Sequence, residues 1–279
     1  MEIEEIVQVL QDQASGLRER IVRDAGLFTV GLLRVSQTAQ GERLYLCGTG
    51  TLVSFAGVHY ILTAAHVWEE LRRGVAPASV GLTLRENLDH KYLIDRAAIV
   101  ATGPPPPAEW GEWGPDIVFL RVPPAHVGAI EVHRVFWNLA RKVTLAHVIC
   151  IDLRVLMGTP EQLGQLTEIH ADLQITGMFS TPVIERYSSL QAPEAIRRDY
   201  DYVDLDMDLT LPGVPQTFGG VSGGGLWRVL VYWSDTTNEI TWKKDIEGVA
   251  FHESDIVNGH RTVRCHGPQC IGMGVHLLI

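Results

Sequence analysis

The chain has 279 residues, 46% hydrophobic and 20% charged, which excludes a disordered or fibrous protein and leaves enough apolar material for a sizeable core. Asp plus Glu number 33 against 23 Lys plus Arg, and a formal charge of −10 lacks the basic footprint of a nucleic-acid binder. The first five residues, Met1 to Glu5, have neither the basic start nor the apolar run of a secretory signal, and no stretch approaches a membrane span. With Cys47, Cys150, Cys265 and Cys270 scattered, a cytoplasmic chain without structural disulfides is expected.

Residues 3 to 22 place Ile3, Ile6, Val7, Leu10, Ala14, Leu17, Ile21 and Val22 at steps of three and four. That spacing predicts one amphipathic helix, stopped near Gly26, whose stripe packs on the body of the same chain. From residue 27 onward the pattern changes to short β-branched and apolar runs separated by Gly and Pro: Phe28 to Val35, Arg43 to Leu46, Thr51 to Phe55, Tyr60 to Thr63, Ile117 to Val122 and Leu226 to Trp233. Helical periodicity recurs only as short turns near Val67 to Arg73, Val135 to Ala140 and Glu161 to Leu166. Many short strands without strand–helix alternation predict an all-β barrel or sandwich. Gly103 to Pro107 must be a loop before the strand near Asp116. From Asp204 to Leu209, Asp alternates with apolar residues, the period of a strand with one wet face; this outweighs a calcium site.

Three local signals carry chemistry. Tyr60-Ile-Leu-Thr-Ala-Ala-His66 is a hydrophobic run ending in small residues and a histidine. Gly114-Pro-Asp116-Ile-Val-Phe-Leu120 sets an aspartate at the mouth of an apolar strand, where a carboxylate is costly unless a donor meets it. Phe218-Gly-Gly-Val-Ser222-Gly-Gly-Gly225 surrounds one serine with glycines. Nucleophilic catalysis by serine needs a base, a group that fixes the base's tautomer, and backbone donors for the oxyanion. Ser222 is the candidate nucleophile, His66 the base, Asp116 the orienter, and the N–H groups of Gly220 and Ser222 the oxyanion hole.

These boxes, in this order, resemble those of the trypsin-like (chymotrypsin-fold) serine peptidases: Thr-Ala-Ala-His at residues 63–66, Asp-Ile-x-x-Leu at 116–120 and Gly-x-Ser-Gly-Gly at 220–224. Fifty positions separate His66 from Asp116 and 106 separate Asp116 from Ser222, and the resemblance covers roughly residues 27 to 255. It implies two antiparallel six-stranded β-barrels with the site between them: an N-terminal helix over 1–26, a first barrel over 27–132 carrying His and Asp, and a second over 133–279 carrying Ser. Val67 and Phe218 stand where secreted members often carry cysteine, and Val221 where zymogen-activated members carry an aspartate. The chain is in these respects similar to bacterial intracellular members, with no activation by N-terminal cleavage. By the same resemblance Gln216 and Thr217 lie at the base of the specificity pocket, and Phe251, His252 and Glu253 on the strand that forms its wall. The neutral amide of Gln216 favours a neutral residue before the cut unless Glu253 turns inward.

Two competing readings of these residues fail on context. The Gly-x-Ser-x-Gly elbow of α/β-hydrolases needs a helix straight after the serine, and Gly223 to Trp227 begin a strand instead. Cys265, His266 and Cys270, with His260 and His276 nearby, are spaced outside the usual zinc hook. No metal or cofactor is therefore expected. The expected activity is that of a serine endopeptidase on protein or peptide substrates, with room for a regulatory protein partner. The alternative is a catalytically silent trypsin fold serving as a protein-binding module, in a bacterial stress or antiviral defence system.

Overall fold

The computed structural model describes residues 2–38, 41–73, 79–84, 91–104, 113–141, 150–160, 179–183, 195–197, 200–210 and 214–278. The N-terminal stripe forms two helices, α1 (Ile3–Gln11) and α2 (Leu17–Gly26), instead of the single helix expected from its period. The break has a local cause. Asp12 Oδ1 accepts from the Ala14 N–H, the Ser15 hydroxyl donates to the Val9 and Asp12 carbonyls, and Gly16 takes a φ of 62°, so side chains capture the backbone groups a continuous helix would use. Ile6, Leu10, Leu17 and Ile21 are nonetheless buried against the body of the chain, as the stripe predicts. Asp24 fastens α2 down: its carboxylate accepts from Trp242 Nε1 at 2.8 Å and pairs with the half-buried Lys244, whose pKa desolvation lowers.

After the helices the described chain is dominated by antiparallel strands in two sheets. The first contains β1 (Thr29–Thr38), β2 (Gly41–Phe55), β3 (Val58–Thr63), β4 (Ser79–Thr83), β5 (Lys91–Asp95), β6 (Val100–Thr102) and β7 (Val118–Arg121), in the order β5-β4-β1-β2-β3-β7-β6. The short β8 (Trp137–Asn138) runs parallel to β2 and leads into a turn at residues 139–140, within the stretch expected to turn at 135–140. Two helices decorate this half, α3 (Ala65–Arg72) and α4 (Pro124–Glu131); α3 matches the turn expected at 67–73. The second sheet contains β9 (Ile151–Gly158), β10 (Phe179–Val183), β11 (Ala195–Arg197), β12 (Tyr200–Asp208), β13 (Gly225–Ser234), β14 (Glu239–Glu253) and β15 (His260–His266), in the order β10-β9-β13-β14-β15-β12-β11, and α5 (Pro268–His276) follows.

Among the described residues neither sheet closes: β5 and β6 remain the edges of the first, a curled half-barrel, and β10 and β11 those of the second. The described residues thus show a half-barrel sheet and a second sheet, and not the two closed barrels of the sequence reading. Residues 105–107 and the turn at 161–166 lie outside the described residues. Along β12 the alternation is as predicted, with Leu205 and Met207 buried and Asp204 and Asp206 on the wet side, paired with Arg264 and His260 of β15.

One apolar cluster joins the halves. Phe28, Trp137 and Trp227 meet ring to ring at 5.0–5.6 Å, with Leu62 and Phe119 of the first sheet and Leu153, Val155 and Val229 of the second around them. The helices α1 and α2 seal this cluster, which explains an amphipathic stripe at the head of an otherwise β chain. No helix among the described residues is long and apolar enough to cross a membrane.

Candidate active site

Strands β3 and β7 pair antiparallel with Thr63 opposite Val118. Residues just past the end of β3 and just before the start of β7 therefore emerge at the same end of the sheet, and these are His66 and Asp116. Ala64 and Ala65 are small enough to be buried at the turn into α3, whose first turn carries His66. Asp116 is 4% exposed, and its carboxylate receives two donors from one residue: the His66 N–H to Oδ1 at 2.9 Å and His66 Nδ1 to Oδ2 at 2.6 Å. A carboxylate accepts only, so the Nδ1 that meets it carries the proton, and Nε2 is left with its lone pair. The imidazole is held in the tautomer of a base, by a group that also fixes the backbone on which the ring is mounted.

Ser222 comes from the second half. Phe218 and Val221 anchor its turn, buried with Leu156, Leu226 and Ala250, while Ser222 between Val221 and Gly223 is half-buried. The main chain of the turn is bound to β2: Thr49 donates its N–H to the Ser222 carbonyl at 2.8 Å and its hydroxyl to the Gly220 carbonyl at 2.7 Å. Gly223, with a φ of 89°, lies so close that a Cβ would strike the Thr49 carbonyl and the Thr63 hydroxyl, and an L side chain would be strained there in any case. Thr63 precedes His66 by three residues, so the serine turn is seated against the segment that delivers the histidine.

Within this turn the N–H groups of Val221, Gly223 and Gly224 have backbone acceptors at 2.7–2.9 Å. Those of Gly220 and Ser222 have none among the described residues. Alternate amides of one tight turn are thus bonded and unbonded, and the unbonded pair is the one expected to receive an oxyanion. Among the described residues the Ser222 hydroxyl makes no hydrogen bond, to His66 included. Such contacts are often long before substrate binds.

The residues expected in the specificity pocket divide. Gln216 is exposed and donates Nε2 to the Leu209 carbonyl at 3.1 Å. Glu253 reaches across to the serine turn, accepting from the Phe218 N–H at 2.8 Å and the Thr217 hydroxyl at 3.1 Å, and it also pairs with Arg261 at 2.6 Å. Phe251 is 4% exposed and forms no open wall. It is the extra residue of a β-bulge between Ala250 and His252, and its ring stacks on His266 at 4.1 Å. His252, next along β14, is half-buried.

His266 is the residue that sequence reasoning missed. It is fully buried, and its Nε2 accepts the backbone N–H of Asp116 at 2.9 Å. Desolvation lowers its pKa to about 4, against the opposing pull of Asp116 and Asp201, so the ring is neutral near pH 7. The only sequence signal was the Cys265-His266-x-x-x-Cys270 cluster, which does not converge: the Cys270 thiol donates to the Asp201 carbonyl at 3.3 Å, and all four cysteines are free thiols. No group of three metal-ligating side chains forms among the described residues. No protein-family model matches the chain, and no curated protein matches it.

Proposed function

We propose that the chain is a serine endopeptidase of trypsin-like architecture, its two sheets belonging to a pair of six-stranded barrels with the cleft between them. The observation that carries this reading is the double contact of the buried Asp116 carboxylate with His66, which puts the proton on Nδ1 and leaves Nε2 as a base. In the first step Ser222 Oγ bonds to the carbonyl carbon of the scissile amide while its proton passes to His66 Nε2. The negative oxygen is met by the free N–H groups of Gly220 and Ser222. Collapse breaks the C–N bond, and the amine leaves with the proton held on Nε2. A water then attacks the ester, its proton going to Nε2, and the carboxylic product departs as Ser222 regains its hydrogen. Asp116 keeps the imidazole oriented and stabilises its charged form without itself taking the proton.

The substrates are proteins or peptides, and the residue before the cut is neutral. Gln216 and Thr217 bring no negative charge, and the Glu253 carboxylate is occupied by Arg261 and by the serine turn. A buried cationic side chain would lack a partner there. A serine-directed fluorophosphonate probe tests the reading. The expected result is covalent labelling of the wild-type chain that disappears in Ser222→Ala. A folded wild-type chain that never labels, alone or with peptide substrates, refutes it and favours the silent binding module.

A further inference from the structure

We propose that His266 is a positioning residue for the triad: by accepting the backbone N–H of Asp116 it fixes the aspartate from behind, so that the carboxylate meets His66 squarely. The inference rests on the reading of His66, Asp116 and Ser222 as one triad. Asp116 lies on the short segment that enters β7, outside the strand's ladder, and its N–H is directed to the second sheet instead of a strand neighbour. The donor is 2.9 Å from His266 Nε2, and a Cβ on Gly114 would come within 2.6 Å of the same nitrogen. The ring is thus packed directly on the main chain that presents the aspartate, and only glycine leaves it room.

The ring itself has no freedom. Phe251 stacks on one face at 4.1 Å, and the Tyr202 and Tyr200 rings lie at 5.3 and 6.3 Å. Because Nε2 accepts, the proton is on Nδ1, and that buried Nδ1 has no hydrogen-bond partner among the described residues. An unpaired buried N–H is destabilising, so a residue serving packing alone would be better as phenylalanine. What the imidazole supplies and a phenyl ring cannot is the acceptor at Nε2. Among the described residues the imidazole makes one hydrogen bond, and that bond ends on Asp116.

The test separates acceptor from packing. His266→Gln retains an acceptor near the Nε2 position; His266→Phe retains the stack without an acceptor; His266→Leu lacks both acceptor and aromatic bulk. The first readout is independent of catalysis: the far-downfield proton resonance of the His66 Nδ1–H in 15N-labelled full-length protein. It is expected in the wild type and the Gln variant, and is expected to broaden or vanish by exchange in the folded Phe or Leu variant. The second is the fluorophosphonate labelling rate, expected to fall on the order of 100-fold in the Phe and Leu variants, as for a small misplacement of a catalytic group, and to recover substantially in the Gln variant. A His66 resonance unchanged in a folded acceptor-less variant overturns the proposal, as does its loss in a folded Gln variant. A wild type that does not label would refute the peptidase reading, while the resonance would still decide the role of His266.

Discussion

Acidification should destabilise the protein through His266, and the size of the effect follows from the structure. The ordinary histidine pKa is 6.5, and burial lowers that of His266 to about 4 in the folded chain. Below pH 6.5 the unfolded chain takes up a proton that the folded chain refuses, so stability falls as the pH drops from 6.5 and the loss is complete near pH 4. A difference of about 2.5 pH units at about 1.36 kcal/mol each gives about 3 kcal/mol, a large share of the usual stability of a domain. Asp116 and Asp201 are the charged groups that pull the other way, and Tyr200, Tyr202 and Phe251 supply the apolar surroundings that prevail. Urea unfolding of wild type and His266→Phe at several pH values between 7 and 4 isolates the contribution, because carboxylates that also titrate there are common to both. The variant should lose about 3 kcal/mol less than the wild type across this window. Equal losses in the two proteins would refute the argument that His266 is buried neutral.

Three further outcomes test the site and its frame. Ser222→Ala and His66→Ala should each lower turnover of a peptide substrate by roughly four to six orders of magnitude at nearly unchanged melting temperature, with Asp116→Asn also severe; retention of a tenth of wild-type turnover in any of them would contradict the triad. Deletion of residues 1–24 removes Ile6, Leu10, Leu17 and Ile21 from the cluster around Trp227 and takes away the Asp24 anchor of Lys244, so the truncated chain should aggregate or melt lower by light scattering and calorimetry. Activation on truncation would instead make the segment inhibitory. In a digest of denatured proteome, neutral residues should precede the cut sites, and Glu253→Ala should slow cleavage without changing that preference, since Glu253 holds the Phe218 N–H and Arg261. A dominant Lys or Arg preference, lost in Glu253→Gln, would contradict this.

The parts of this molecule that were legible in sequence are those governed by local pattern. Strands β1, β3, β7 and β13 fall within a few residues of the apolar runs that announced them, and the alternation of β12 gave its buried side correctly. His66 and Asp116 were legible because a polar residue at the mouth of an apolar strand is unusual on its own, and the antiparallel pairing of β3 with β7 makes two such residues neighbours. Phe251 was assigned to the pocket wall by resemblance, along with His252 and Glu253 on the same strand. The bulge at that residue inserts one position into the register and turns the ring onto His266, and a bulge leaves little trace in hydrophobic period. The helix break at residues 12–16 escaped for a related reason: the apolar stripe continues across it, and only the side-chain bonds of Asp12 and Ser15 reveal where the backbone departs. His266 was hidden because its partner is a backbone N–H 150 positions away, and no spacing rule encodes such a pair.

The two sheets are held together differently on the two sides of their junction, and the difference bears on what the site requires. Around Phe28, Trp137 and Trp227 the contact is apolar, strong but tolerant of small displacements. At the site the contact is a seam of directional bonds among buried hydroxyls and amides. Thr49 binds the Ser222 and Gly220 carbonyls, the Thr51 hydroxyl donates to the Gly223 carbonyl at 3.3 Å and the Thr159 N–H donates to the Thr49 hydroxyl at 2.9 Å, while within the first sheet the Thr63 hydroxyl donates to the Thr49 carbonyl at 2.7 Å. Hydrogen bonds weaken steeply with misalignment, so this seam admits one relative placement of the sheets where the apolar cluster would admit several. The exchange is reciprocal: the first sheet fixes the turn of the second that bears the serine, and the second, through His266, holds the aspartate of the first. The apolar cluster with its helical cover supplies the affinity between the sheets, while the threonine seam supplies the register at which the Ser222 turn is seated on the first sheet.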